Sequence, residues 1–177
     1  RKCMLLIFVK KPEVGKVKTR LAVTVGNKKA LQIYLQLLER TCKITEPLSC
    51  HKAVYYTPEI VEKDTFDRKY FQKAIQNGGD LGERMQNAFE ATFSQGYQKV
   101  CIIGSDCYEL DTPILENAFA KLDTKEVVIG PATDGGYYLI GLSRFVPGLF
   151  EGIAWSGPRV LCDTCERVRA GGLKLFL

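Results

Sequence analysis

The sequence predicts an α/β fold: a mostly parallel sheet with helices on both faces. Three observations carry this. Two uninterrupted apolar runs, CMLLIFV at 3–9 and VCII at 100–103, have the composition of strands buried on both faces. Segments of helical periodicity separate the strand-like runs. The polar, glycine-bearing motifs come just after the carboxyl ends of strands, where open α/β sheets bind ligands.

The elements follow in chain order. Residues 3–9 are the first strand, and the basic loop KKPEVGKVKTRLA comes next. From Lys28 to Cys42, apolar Ala30, Leu31, Ile33, Tyr34, Leu37 and Leu38 recur at helical spacing after the Gly26-Asn27 break. A strand at 52–56 closes at Thr57-Pro58, and 71–75 is a weaker extended stretch. Beyond Gly78-Gly79, Leu81, Met85, Ala88, Phe89, Ala91 and Phe93 predict a helix that Gly96 stops. Asp80 is its expected N-cap, with Glu83 completing a capping box. The strand at 100–103, a helix at 115–122, a short strand at 127–129 and a strand at 137–142 complete the pattern. Asp111-Thr112-Pro113 reads as a helix start.

The 177 residues fit one domain over 1–177, long enough to bury roughly two-thirds of the surface its unfolded form exposes. No apolar run approaches the roughly 18 residues a membrane span needs. The net charge of +5 comes from 25 basic residues interspersed among 20 acidic ones, without a long Lys/Arg tract or interleaved aromatics. That pattern disfavours nucleic acid as partner and favours a local anion site. Seven cysteines, with Cys3 and Cys101 inside apolar strands, argue against a disulfide framework and for a reducing, cytoplasmic location. Cys162 and Cys165 form a lone C-x-x-C with no second pair, which is expected of a helix rather than a zinc site. The chain starts without Met and stops in the run LKLFL, so a further element is expected to follow it.

Three loops could carry chemistry. The first holds Lys10, Lys11, Lys16, Lys18 and Arg20 within eleven residues, with Gly15 permitting close backbone approach. Such a loop suits a di- or triphosphate, although neither G-x-x-x-x-G-K-[ST] nor G-x-G-x-x-G occurs. A solvated basic surface loop has the same composition. The second is Gly104-Ser105-Asp106. Magnesium needs only one or two carboxylates beside phosphate oxygens, so Asp106 with Asp134 would suffice, while Glu109 and Asp111 compete for the role. The third, ATDGGYYLIG, sets Asp134 before Gly135-Gly136, equally the signature of a turn. Arg84, after the Asp80 cap, could face phosphate or pair with Glu83 or Asp80. The single histidine, His51, has no ligand-like neighbour in the sequence, which excludes Ser/His/Asp and histidine-based zinc mechanisms.

Taken together, FVKKPEVGKVKTRLA, GGDLGERMQNAF, IIGSDCYEL, GPATDGGYYLIGL and the Phe150 to Trp155-Ser156 segment resemble, in this order, a bacterial family of glycosyltransferase-like proteins. Its members are described as nucleotide-diphospho-sugar transferases, and the resemblance runs from Phe8 to about Ser156. It implies a GT-A-like, SpsA-type three-layer sandwich shared with nucleotidyltransferases. It further implies that Lys11, Lys18 and Arg20 hold nucleotide phosphates, that Asp106 binds Mg²⁺ or Mn²⁺, and that Asp134, Gly135 and Gly136 line the acceptor side. On the residues themselves, Gly15 and Arg84 join the phosphate set, Asp134 is the candidate second metal ligand or base beside a catalytic Asp106, and Tyr137 and Trp155 extend the acceptor side. Two positions depart from the family pattern: Tyr108 stands where Pro is expected and Gly157 where Thr is usual. The implied partners are a nucleotide or nucleotide-sugar and a small-molecule acceptor. The leading expectation is a metal-dependent glycosyl transferase. A nucleotidyltransferase releasing pyrophosphate and a non-catalytic nucleotide-binding domain stand as alternatives.

Overall fold

A computed structural model describes residues 2–177; Arg1, where the expected domain begins, lies outside the described residues. Twelve elements follow one another: β1 (Cys3–Lys10), α1 (Thr19–Val25), α2 (Asn27–Thr45), β2 (His51–Thr57), β3 (Gln72–Ile75), α3 (Leu81–Ser94), β4 (Lys99–Ile103), α4 (Thr112–Lys121), β5 (Val127–Pro131), β6 (Tyr137–Leu142), α5 (Val160–Ala170) and β7 (Leu175–Phe176). The strands form one sheet in the order β3-β2-β1-β4-β6-β5-β7.

β1 runs through the middle of the parallel half, where Leu6 is level with Ala53 of β2 and Ile102 of β4. β6 runs antiparallel to both neighbours, with Ile140 level with Ile102 and Ile129. Its reversal explains why only a short loop joins β5 to β6, since a parallel pair would need a long crossover. Alternate residues of a strand point to opposite faces. Leu5, Ile7 and Val9 accordingly pack with Tyr34 and Leu38 of α2 and Leu115 and Phe119 of α4. Met4 and Leu6 pack with Met85 and Phe89 of α3 and Cys165 and Val168 of α5. The result is the expected three layers, helices covering a mostly parallel sheet.

The helix starts follow their capping residues. Asp80 accepts from Glu83 N at 2.8 Å, and Asp111 accepts from Ile114 N at 2.9 Å with Pro113 in the first turn. Glu83 folds back to accept from Gly79 N at 2.6 Å. Two elements, α1 and β7, were absent from the sequence expectation, and α5 was foreseen only in the helical reading of Cys162 and Cys165. α1 buries no residue, so it has no apolar stripe to read. α5 and β7 lie past the last motif, and within α5 Cys165 is buried while Cys162 is exposed. The excursion between β2 and β3 is pinned by Lys73. Its fully buried ammonium donates to Val61 O, Glu62 O and Asp64 Oδ1 at 2.7, 3.1 and 2.8 Å. No helix among the described residues is long and apolar enough to cross a membrane.

Candidate functional site

The carboxyl ends of β1, β4 and β5 and the start of β6 share one edge of the sheet, because β6 alone is reversed. Over that edge lies a cavity of about 940 Å³. The sequence-predicted residues Arg20, Asp106, Asp134, Gly136, Tyr137 and Trp155 all line it. Five others do not: Lys11, Gly15, Lys18, Arg84 and Gly135 lie outside its wall.

The floor of the site is built by Tyr34. Its buried hydroxyl accepts from Lys10 N at 2.9 Å, donates to Lys10 O at 3.0 Å and meets Ser105 Oγ at 3.3 Å. One side chain thus ties the end of β1 to the loop after β4, and burial raises its own pKa. Asp106 follows Ser105 directly and is exposed toward the cavity. Tyr34→Phe is expected to lower stability by about 1 kcal/mol, because two part-buried backbone groups of Lys10 lose their partner. A denaturant midpoint unchanged from the parent would contradict this bridging role.

The basic loop is less cationic than its sequence suggests. Lys11 is paired with Glu59, whose hydrogen bond raises the Lys11 pKa, and lies 4.0 Å from Glu13. Lys16 reaches Glu13 at 3.4 Å. Lys18 caps α1 in a left-handed conformation, φ 49°, and Arg84 donates to Gly78 O at 3.2 Å. Of these cations only Arg20, on the first turn of α1, reaches the cavity wall.

The opposite wall is a pair of interlocked turns. Asp134 Oδ1 accepts from Gly136 N at 3.0 Å, and Ala132 N donates to Gly136 O at 3.0 Å. Gly135 has φ +90°, and its carbonyl accepts from Leu161 N at 2.9 Å. Trp155 reaches the cavity by packing on Gly82, where an added Cβ would sit 2.7 Å from the indole. Tyr137 also lines the cavity, its hydroxyl 3.4 Å from Thr164 Oγ1 and its pKa raised by burial.

A protein-family model described as "Uncharacterized protein conserved in bacteria (DUF2064)" matches residues 41–157, a stretch that holds Asp106, Asp134 and Trp155. The chain belongs to this family. A crystal structure from Desulfovibrio desulfuricans, described as a "putative nucleotide-diphospho-sugar transferase", is similar at 35% identity and a TM-score of 0.92, covering 98% of this chain and 78% of its own. A cytidylyltransferase from Leptospira borgpetersenii shares the fold at 13% identity and a TM-score of 0.61, over 99% of this chain and 74% of its own. So does the 4-diphosphocytidyl-2C-methyl-D-erythritol synthase of Anaerococcus prevotii, at 9% identity and a TM-score of 0.61, over 99% and 86%. No curated protein matches the sequence. The fold is therefore that of the nucleotide-diphospho-sugar transferases, as the motif order implied.

Sequence reasoning missed Arg40 in this family member. Its Nε donates to Tyr108 O at 2.6 Å, its Nη2 donates to Leu110 O at 3.1 Å, and its guanidinium lies 4.7 Å from the centre of the Tyr108 ring. An arginine midway along a helix carries no signal of a partner 68 residues away. Among the described residues no three His, Cys, Asp or Glu side chains gather as a metal cage. Asp106 and Asp134 supply two carboxylates on one cavity, a hard-oxygen donor set that suits Mg²⁺ or Mn²⁺ when phosphate oxygens and water complete the shell.

Proposed function

We propose that this chain is a transferase that takes a nucleotide-diphospho-sugar as donor and passes the glycosyl group to the hydroxyl of a small acceptor. One observation carries the reading. Asp106, Asp134 and Arg20 come from three different loops or helix starts, yet line the same cavity at the carboxyl edge of the sheet. The 35% identical relative described as such a transferase adds support from outside this chain.

Asp106 and Asp134 would hold Mg²⁺ or Mn²⁺, which when bound supplies Lewis-acid stabilisation of the leaving diphosphate. Arg20 offsets phosphate charge from the α1 side. Asp134 is the second ligand or the base. Its Oδ1 is committed to Gly136 N, which leaves proton acceptance to Oδ2. In the transfer, the bond from the anomeric carbon to the diphosphate oxygen breaks and one to the acceptor oxygen forms. The acceptor's proton goes to the base, and nucleoside diphosphate leaves.

The charge distribution bears on the choice between a diphosphate-sugar and a triphosphate donor. A triphosphate asks for more fixed cations, and Lys11 and Lys16 already face Glu59 and Glu13. With Arg20 the sole cation among the described residues of the wall, the site suits the smaller charge of a diphosphate ester. Calorimetric titration with NTPs, NDPs and NDP-sugars, with Mg²⁺ or Mn²⁺ and with chelator, tests this. Metal-dependent binding of an NDP-sugar and release of NDP on turnover are expected. Pyrophosphate release would assign nucleotidyl transfer instead, and binding without turnover on a broad acceptor panel would assign a non-catalytic nucleotide-binding domain.

A further inference from the structure

The cavity is large enough for more than a metal-bound diphosphate, and its wall carries a second chemistry. Tyr108, Tyr137, Tyr138 and Trp155 all line it. They divide between the two faces of the sheet: Tyr108 is held by Arg40 of α2 and Tyr138 packs with the α2 and α4 layer, while Tyr137 and Trp155 pack with the α3 and α5 layer. Glu109 follows Tyr108 directly and lines the same cavity. Arg20 is the sole cationic side chain among the described residues of the wall, against three carboxylates including Asp106. Tyr108 is 70% exposed, although large apolar surfaces ordinarily find cover. It is nonetheless held in place: Arg40 fixes its carbonyl and lies against its ring. An aromatic ring fixed from one side and left open at a cavity is a surface on which a ligand ring can stack at little ordering cost.

We infer that the Tyr108–Glu109 side of the cavity is the acceptor subsite and that it takes an uncharged, polyhydroxylated ring, a neutral saccharide or glycoside, with Tyr108 as its stacking platform. This rests on the glycosyl-transfer reading above and names its acceptor class. The apolar face of a sugar ring packs on Tyr108, while the adjacent Glu109 accepts hydrogen bonds from ring hydroxyls, as a carboxylate can through several lone pairs. An anionic acceptor such as a sugar phosphate or uronate meets like charge at Glu109, with no lysine among the described residues of the wall to receive it. That juxtaposition discriminates against it.

The test is ligand-observed NMR titration of the whole chain, with UDP, GDP or CDP and Mn²⁺ bound. The probes are methyl β-D-glucopyranoside, D-glucose 6-phosphate and D-glucuronate. The neutral glycoside is expected to bind at least about 10-fold more tightly than either anion. Tyr108→Ala should weaken it roughly 3- to 10-fold while Tyr108→Phe preserves it. Glu109→Gln should narrow the gap between neutral and anionic probes. Equal or tighter binding of an anion, or a Tyr108→Ala variant that binds as the parent does, would overturn the inference. If UDP-glucose displaces the glycoside and UDP does not, the ring site belongs to the donor's sugar and the acceptor assignment falls. Nucleotide binding without glycoside binding overturns this inference alone, whereas loss of both removes the transferase reading beneath it.

Discussion

Asp106→Ala is expected to lower kcat/KM by roughly 10²- to 10³-fold, the usual cost of removing one group that stabilises developing charge in a closed site. The reason lies in its placement rather than its acidity alone. β4 is buried along its whole length, so its end is rigid, and Ser105 is tied through Tyr34 to the end of β1. Asp106 is the first exposed side chain beyond that anchor, and it faces the cavity. Because it is exposed, its removal should leave the denaturation midpoint within about 0.5 kcal/mol of the parent. Asp106→Asn, which keeps the shape and loses the charge, should fail as badly as Asp106→Ala. Turnover and nucleotide titration against Mg²⁺ and Mn²⁺ check this directly. A variant that keeps the parent's metal dependence would take Asp106 out of the ligand set and leave Glu109, on the same wall, as the carboxylate to examine.

The same contrast between placement and composition explains what could be read from the sequence. The strands at 3–9 and 100–103 were legible because both faces are buried, which leaves an unbroken apolar run. The α3 and α4 starts were legible because Asp80 and Asp111 satisfy backbone donors locally, a signature within three residues. Asp106 and Asp134 could be placed in one cavity because each follows a strand whose direction the pattern fixed. The basic loop was only half legible. Its lysines are close in sequence, but Glu59, which pairs with Lys11, is 48 residues away, so the loop's effective charge is a tertiary property. The antiparallel turn of β6 was hidden for a similar reason. Its apolar composition serves either direction, and only the short connection through Gly135-Gly136 hints at reversal. Arg40 and Tyr34 were read only as helix residues, and what they do depends on partners that no local pattern marks.

Gly135→Ala should be the most damaging small substitution beside the site's wall, costing about 4 kcal/mol against about 1 kcal/mol for Gly172→Ala. Both glycines have positive φ, +90° and +69°, so both variants suffer the left-handed strain of an L side chain. They differ in what the new methyl group meets. At Gly172 nothing lies within 4 Å, whereas at Gly135 the Cβ would sit 2.1 Å from Pro158 O, a backbone atom that cannot rotate away. The turn at 132–136 and the segment at 158–161 must then separate, stretching the 2.9 Å bond from Leu161 N to Gly135 O. That separation moves Asp134 relative to Trp155. Urea midpoints of the two variants, measured side by side, isolate the collision from the φ strain. If both lose the same stability, the Gly135–Pro158 contact does not hold the wall, and Asp134 owes its position to the Asx turn with Gly136 alone.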